Sequence, residues 1–282
     1  MTEREAAPAA IVEPGSRNLQ TRVIAALILA PAAIAIAWAG GWLWAGLVTM
    51  AAVGLYVEWL MIVGAGRNAS VIATGTAALS LSGFCLASGK IDAALVTVAL
   101  GIVTVAVLAP GKRAWVAAGL CYAAAAEVAS VLVRFDQAWG FVALILVLLV
   151  VWVTDIGGYF AGRGIGGPKL WPRVSPKKTW AGAIGGFFAS LLVAVSFAAS
   201  GFGKMVPLLL LAAVLSIASQ LGDLFESAVK RRFGVKDSSQ IIPGHGGLLD
   251  RLDGFVAAVT LAAIFGVLRV GVDGVGRGLM VW

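Results

Sequence analysis

The stretch "FVALILVLLVVWVTDIGGYFAGR", residues 141–163, runs fourteen residues without a charge before it meets Asp155. With its flanks, 138–158, it reaches the ~20 residues that a helix needs to cross the hydrocarbon core of a bilayer. It is about twice the length of a transmembrane barrel strand and lacks the alternation such a strand shows. Similar runs recur along the chain, at roughly 22–39, 42–63, 70–88, 91–109, 114–133, 180–200, 205–228 and 249–270. Backbone groups in lipid must find partners inside their own segment, which helices provide. The fold class expected is therefore all-α: a polytopic transmembrane helical bundle of about nine spans. The third run, 70–88, is the least apolar, and Gly40–Gly41 alone separates the first two.

Composition agrees. Of 282 residues, 60% are hydrophobic and 12% charged, about half the charged share of a soluble domain. The formal charge is +7. A nucleic-acid binder could show that sign, but in a membrane chain it reads as topogenic charge and contact with anionic lipid, and no nucleic-acid partner is expected. Cys85 and Cys121 lie inside apolar runs, with no CxxC pair and no metal-ligand spacing, so they read as packing residues. Residues 1–21 are polar and Pro/Ala-rich without an early apolar run. They read as a disordered cytoplasmic tail rather than a cleavable signal.

Basic residues set the orientation. With the N-terminus and every second loop on one side, that side carries 16 of the 21 Lys+Arg and the other carries 5. The richer side is cytoplasmic by the positive-inside rule, which gives N-in, C-out and places two long polar loops, 159–179 and 229–248, in the cytoplasm. Up to residue 137 the spans are plain and their acids sparse. From 138 to 282 polar residues gather at helix ends. The reading is a scaffold bundle over 22–137 and a catalytic region over 138–282. No internal repeat is visible, which weighs against many transporter architectures. Glu58 and Glu127 fall inside spans with no partner that the sequence supplies.

Three clusters could carry chemistry. In the first, Asp155 sits near the end of its span, where a carboxylate must be paired, solvated or cation-bound. The glycines at 157, 158, 162, 164, 166 and 167 permit close approach of a helix or a ligand, and Arg163 offers Asp155 a partner. In the second, "VSPKKTWAG" at 174–182, Thr179 reads as an N-cap. Lys177 and Lys178 then stand at a helix N-terminus, suited to phosphate or to lipid headgroups. In the third, Ser216, Ser219, Asp223, Glu226, Ser227 and Lys230 share one helical face. Asp250 and Asp253, three apart, share a face of the next span beyond the glycine turn at 244–247. Carboxylates converging beside lysines suit a hard divalent cation with substrate phosphate, though interhelical salt bridges or an ion path would use the same residues. One histidine, no clustered cysteine and no HExxH argue against zinc. No GxSxG elbow places a nucleophilic serine. His245 alone could orient a phosphate, move a proton or satisfy its turn.

The stretch "SAVKRRFGVKDSSQIIPGHGGLLDRLDG", 227–254, resembles the motif of the phosphatidate cytidylyltransferases, or CDP-diacylglycerol synthases. Ser227, Lys230–Arg231, Lys236–Asp237, Pro243, His245–Gly246–Gly247, Asp250–Arg251 and Asp253 carry the match. "TDIGGYFAGR", "SPKKTWAG" and "GDLFES" upstream also look like that family, so the resemblance covers roughly 150–260. It implies an all-helical, dimeric enzyme that makes CDP-diacylglycerol and pyrophosphate from CTP and phosphatidic acid. It further implies Mg²⁺, with or without a second cation, and work at the cytoplasmic face of the bacterial inner membrane, in contact with membrane lipid. By that implication Asp223 and Asp250 lead the metal ligands, followed by Asp253 and Glu226. Asp223, Asp250, Lys230, Arg251 and His245 are the candidates for the chemistry. Asp155, Ser175, Lys177, Lys178, Ser227, Arg231, Lys236, Asp237, Gly246 and Gly247 are candidates for substrate binding.

Overall fold

A computed structural model describes residues 30–239 and 246–282. The expected N-terminal tail, Pro243 and His245 lie outside the described residues. Among those described, eight helices are long and apolar enough to cross a membrane: α2 (Gly41–Ile62), α3 (Ala69–Ala87), α4 (Ile91–Leu108), α5 (Arg113–Phe135), α6 (Gly140–Gly164), α7 (Trp180–Ala199), α8 (Met205–Arg232) and α9 (Leu249–Val270). An apolar helix α1 (Ala30–Ala39) precedes them where the first span is expected, and α10 (Val275–Met280) follows. The weakly apolar run 70–88 is helix α3. Its Asn68 caps it, accepting from Val71 N at 3.2 Å. Gly40 and Gly41, at φ of 66° and 52°, make the one-residue break into α2 in a backbone conformation that residues with a Cβ rarely adopt.

The two long loops are shorter than expected. Helix α6 continues to Gly164 and α8 to Arg232; in the last turns of α8, Lys230 meets Glu226 and Asp250. Between α6 and α7 the chain forms an antiparallel hairpin of β1 (Lys169–Trp171) and β2 (Ser175–Thr179), with Lys169 opposite Thr179 and Trp171 opposite Ser175. The otherwise all-helical reading held no such strand pair, since three and five residues are too few to show a period.

Connections lie in two opposite layers. At one end, Lys112 Nζ, ahead of α5, donates to Val63 O at 2.8 Å and Gly64 O at 2.6 Å beyond the end of α2. At the other end, Arg134 Nε donates to Ala37 O at 2.5 Å, and Arg277 N donates to Asp136 Oδ2 at 2.9 Å. Helices α2–α5 pack mutually, and so do α6–α9, while α9 lies against α5. One core cluster joins Leu144, Val147, Leu208, Leu215 and Val259; the other joins Tyr56, Trp59, Leu79 and Leu120. Trp59, Tyr122 and Phe225 stack with centroids 5.5–6.2 Å apart, tying α8 to the N-terminal helices.

Helices α6 and α7 touch backbone to backbone. A Cβ on Gly186 would stand 2.4 Å from Thr154 O, and one on Gly182 would stand 2.8 Å from Gly158 O. Glycines 157, 158 and 162 thus serve this contact, whereas among the described residues nothing lies within 4 Å of a Cβ placed on 164, 166 or 167. Gly186→Val is expected to cost about 1–3 kcal/mol through overpacking, read as a lower thermal midpoint in detergent. Gly164→Ala, made in open space, should leave that midpoint in place. Equal midpoints for Gly186→Val and the parent would refute the close crossing.

Candidate active site

Helices α6, α7 and α8 and the hairpin wall a cavity of about 550 Å³, lined among others by Asp155, Tyr159, Arg163, Lys177, Lys178, Gln220 and Asp223. Each arrives for a local reason. Thr179 Oγ1 accepts from Gly182 N at 3.1 Å, so the expected N-cap forms and α7 starts at the cavity wall. Strand β2 then carries Lys177 and Lys178 into the cavity along its edge rather than on a helical turn. Lys178 Nζ forms an ion pair with Asp223 on α8. Arg163 does not pair with Asp155; its Nη1 donates to Tyr159 Oη at 3.0 Å, one helical turn back.

Asp155, Asp223 and Asp253 lie within electrostatic reach of one another, with Lys178 the opposing charge. Asp155 and Asp223 line the cavity together with Arg163, Lys177 and Lys178, while Asp253 acts on them from outside its lining. Asp253 Oδ1 accepts from Gly254 N at 2.8 Å. The crossing of α8 and α9 is tight there, since a Cβ on Gly254 would meet Ser219 Oγ at 2.5 Å and one on Gly222 would meet Asp253 O at 2.7 Å. Thr154 Oγ1 donates to Ser216 Oγ at 2.9 Å, so the polar stripe of α8 begins in contact with α6.

The remaining two acids of the expected metal set meet around Lys230. Lys230 Nζ lies 2.7 Å from Glu226 Oε2 and 2.6 Å from Asp250 Oδ1. Asp250 Oδ2 accepts from Ser238 N and Gly247 N, each at 3.2 Å, and lies 3.1 Å from Ser238 Oγ. Asp250 is thus engaged on both oxygens, and Lys230 faces two carboxylates. Among the described residues no group of three or more His, Cys, Asp or Glu side chains is spaced to hold a metal ion. Of the four acids that the sequence gathers, Asp250 and Glu226 share Lys230, Asp253 lies within electrostatic reach of Asp223, and Glu226 lies within reach of Asp253 as well.

Other expected site residues take plainer positions. Ser227 Oγ reaches Asp223 Oδ1 only at 3.5 Å. Arg231 Nη1 donates to Val235 O at 3.1 Å, closing the end of α8. Ser175 is half-buried in β2, while Lys236, Asp237 and Arg251 are exposed. Gly246 adopts φ 84°, and Gly247 is buried beside Ser238. Gln220, which donates from Nε2 to Ala183 O at 3.3 Å, and Tyr159 were not singled out by spacing, nor was Glu58, treated below.

A profile described as the Cytidylyltransferase family matches residues 20–268. The chain belongs to this family. It is 43% identical over 259 residues to a phosphatidate cytidylyltransferase of Brucella suis, covering 89% of this chain and 94% of that protein. The same figures hold for the Brucella abortus protein of that name. A Staphylococcus aureus phosphatidate cytidylyltransferase is 39% identical over 174 residues, 60% of this chain and 67% of its own. The match includes the N-terminal helices, where the sequence motifs are silent. A cytidylyltransferase of this family is an enzyme of nucleotidyl transfer, and the cavity walled by Asp155, Lys177, Lys178 and Asp223 is where cationic and anionic side chains meet at one end of the bundle.

Proposed function

We propose that this cytidylyltransferase transfers CMP from CTP to phosphatidic acid at the cytoplasmic face of the bacterial inner membrane, releasing pyrophosphate. The observation that carries the reading is the cavity itself, which brings Lys177, Lys178, Asp155 and Asp223 together at a membrane-helix end. An oxygen of the lipid phosphate attacks the α-phosphorus of CTP. The bond from that phosphorus to the bridging oxygen breaks, and pyrophosphate leaves with its electron pair. A phosphate monoester is nucleophilic near neutral pH without a strong base. The task left to the protein is to bring two anions together. Lys177 and Lys178 supply positive charge on one wall. Exposed Phe160 and Ile184, on the helices that form the cavity, offer acyl chains an apolar surface.

The reading includes Mg²⁺. The donor chemistry fits: Mg²⁺ takes one or two protein carboxylates and completes its shell with water and phosphate oxygens. Asp223 and Asp253, mutually repelling and opposed by Lys178, would hold it. Asp250 would join only on release from Lys230. When bound, such an ion neutralises phosphate charge in nucleotidyl transfer.

CTP labelled at the α-phosphate should leave label in the lipid, and CTP labelled at the γ-phosphate should leave none. A γ-labelled lipid would instead show a CTP-dependent lipid kinase and overturn the reading. In sealed vesicles, inside-out membranes should accept external CTP and right-side-out membranes should not. The reverse would overturn the cytoplasmic placement, which rests on the 16-to-5 distribution of basic residues.

A further inference from the structure

Glu58 lies one turn from the end of α2 and is fully buried. Both of its oxygens are occupied, and every donor comes from the far end of the chain. Oε1 accepts from Ser239 Oγ at 2.6 Å and from Leu248 N at 2.8 Å. Oε2 accepts from Ser238 Oγ at 2.8 Å and from Leu249 N at 2.8 Å. The sequence separations are 180 to 191 residues. The donors flank residues 240–245 on both sides.

Two features of the neighbourhood are explained by this carboxylate. Helix α9 begins with Leu248 at its N-cap, and no side chain of its own caps it. The first N–H groups of a helix have no partner within it, and a carboxylate is the favoured acceptor there. Glu58 fills that role from another helix. A Cβ on Gly247 would lie 1.7 Å from Ser238 Oγ and 2.7 Å from Glu58 Oε2. The second glycine of the His-Gly-Gly run is therefore required by the clamp. Four residues before Glu58, a Cβ on Gly54 would meet Leu248 Cδ2 at 2.8 Å, so the same face of α2 also seats Leu248.

The clamp reaches Asp250. The Ser238 hydroxyl lies between Glu58 Oε2 at 2.8 Å and Asp250 Oδ2 at 3.1 Å and has one proton to donate. Ser238 N and Gly247 N hold the same Asp250 oxygen. We infer that Glu58 is a positioning residue for the transfer reaction: it fixes Ser238, Ser239 and the first turn of α9, and through them the direction of the Asp250 carboxylate. The N-terminal helices thus take part in building the site. The inference rests on the reading that Asp250 serves nucleotidyl transfer.

Glu58→Gln in the full-length protein tests it. The amide keeps the volume, but its NH₂ faces donors where an oxygen accepted them, and the backbone N–H cannot turn away. Expected is a fall in kcat of about 10²-fold, the scale of a misplaced catalytic group, with KM for CTP changed less than about threefold. Amide exchange at residues 247–249 should quicken about tenfold, as for loss of one hydrogen bond, with exchange in α3 and α4 unchanged. Glu58→Asp keeps both oxygens and should recover part of kcat. Parental kcat and parental exchange in Glu58→Gln would overturn the inference. So would a loss of activity that only tracks the folded fraction, with exchange raised throughout. Should the Gln variant not fold, Glu58→Asp is read by the same two measures, and parental values in both overturn the inference. If the parent releases no pyrophosphate from CTP and phosphatidic acid, the reaction reading fails, while exchange at 247–249 still reports on the clamp.

Discussion

Asp223→Asn is expected to lower pyrophosphate release from CTP and phosphatidic acid by about 10³-fold, the effect of removing several kcal/mol of charge stabilisation. The substitution is close to isosteric. Its amide oxygen can still accept from Lys178, and only the long 3.5 Å contact of Ser227 with the other oxygen is lost, so α8 keeps its place against the hairpin. What is lost is one negative charge on a cavity wall shared with Asp155 and within electrostatic reach of Asp253. If Asp223 only restrained Lys178, removing its charge would free that lysine for phosphate, and activity would hold or rise. If Asp223 holds a cation between two anionic substrates, turnover collapses while the protein stays folded. Turnover and thermal midpoint measured on one detergent preparation separate the two. Activity within tenfold of the parent would sink the assignment.

The sequence made the helices legible because each span is read from its own residues: apolar length is a local property, and Thr179 caps α7 as its type and position suggest. The expected spans 138–158 and 205–228 stop short of the ends of α6 and α8, and for α8 the reason is the basic run Lys230–Arg232, which looks like the edge of a membrane segment. Here Lys230 is inside the protein, with 11% of its side chain exposed. The spacing that put Asp250 and Asp253 on one helical face is correct, yet their partners differ. Asp250 turns to Lys230 and Ser238, and Asp253 lies near Asp223. Which neighbour a carboxylate meets depends on the crossing of two helices, and periodicity carries no information on that. Glu58 is the extreme case. An acid in an apolar span signals that a partner exists, but its donors lie 180 to 191 residues away and two of them are backbone amides, which no residue type reveals.

Lys230→Met should be the most damaging single change to folding. Nζ lies between Glu226 Oε2 at 2.7 Å and Asp250 Oδ1 at 2.6 Å, and the Glu226 side chain is almost wholly buried, with no hydrogen-bond partner for Oε1 among the described residues. Methionine fills the stem volume but leaves two acids facing each other without a cation. Breaking a buried ion pair from one side costs about 3–5 kcal/mol, against a total stability of roughly 5–15 kcal/mol. The expected result is a sharp drop in folded protein recovered from membranes, or a thermal midpoint far below the parent's. Neutralising the acids as well, in Glu226→Gln, Lys230→Met, Asp250→Asn, removes the cause and should restore folding. It should not restore turnover, because Asp250 no longer offers a carboxylate beside Ser238 and Gly247. A Lys230→Met protein with the parental midpoint would mean that the trio is not held by charge. A triple variant that both folds and turns over would remove Asp250 from the chemistry and leave the cavity of Asp155, Lys177, Lys178 and Asp223 to act alone.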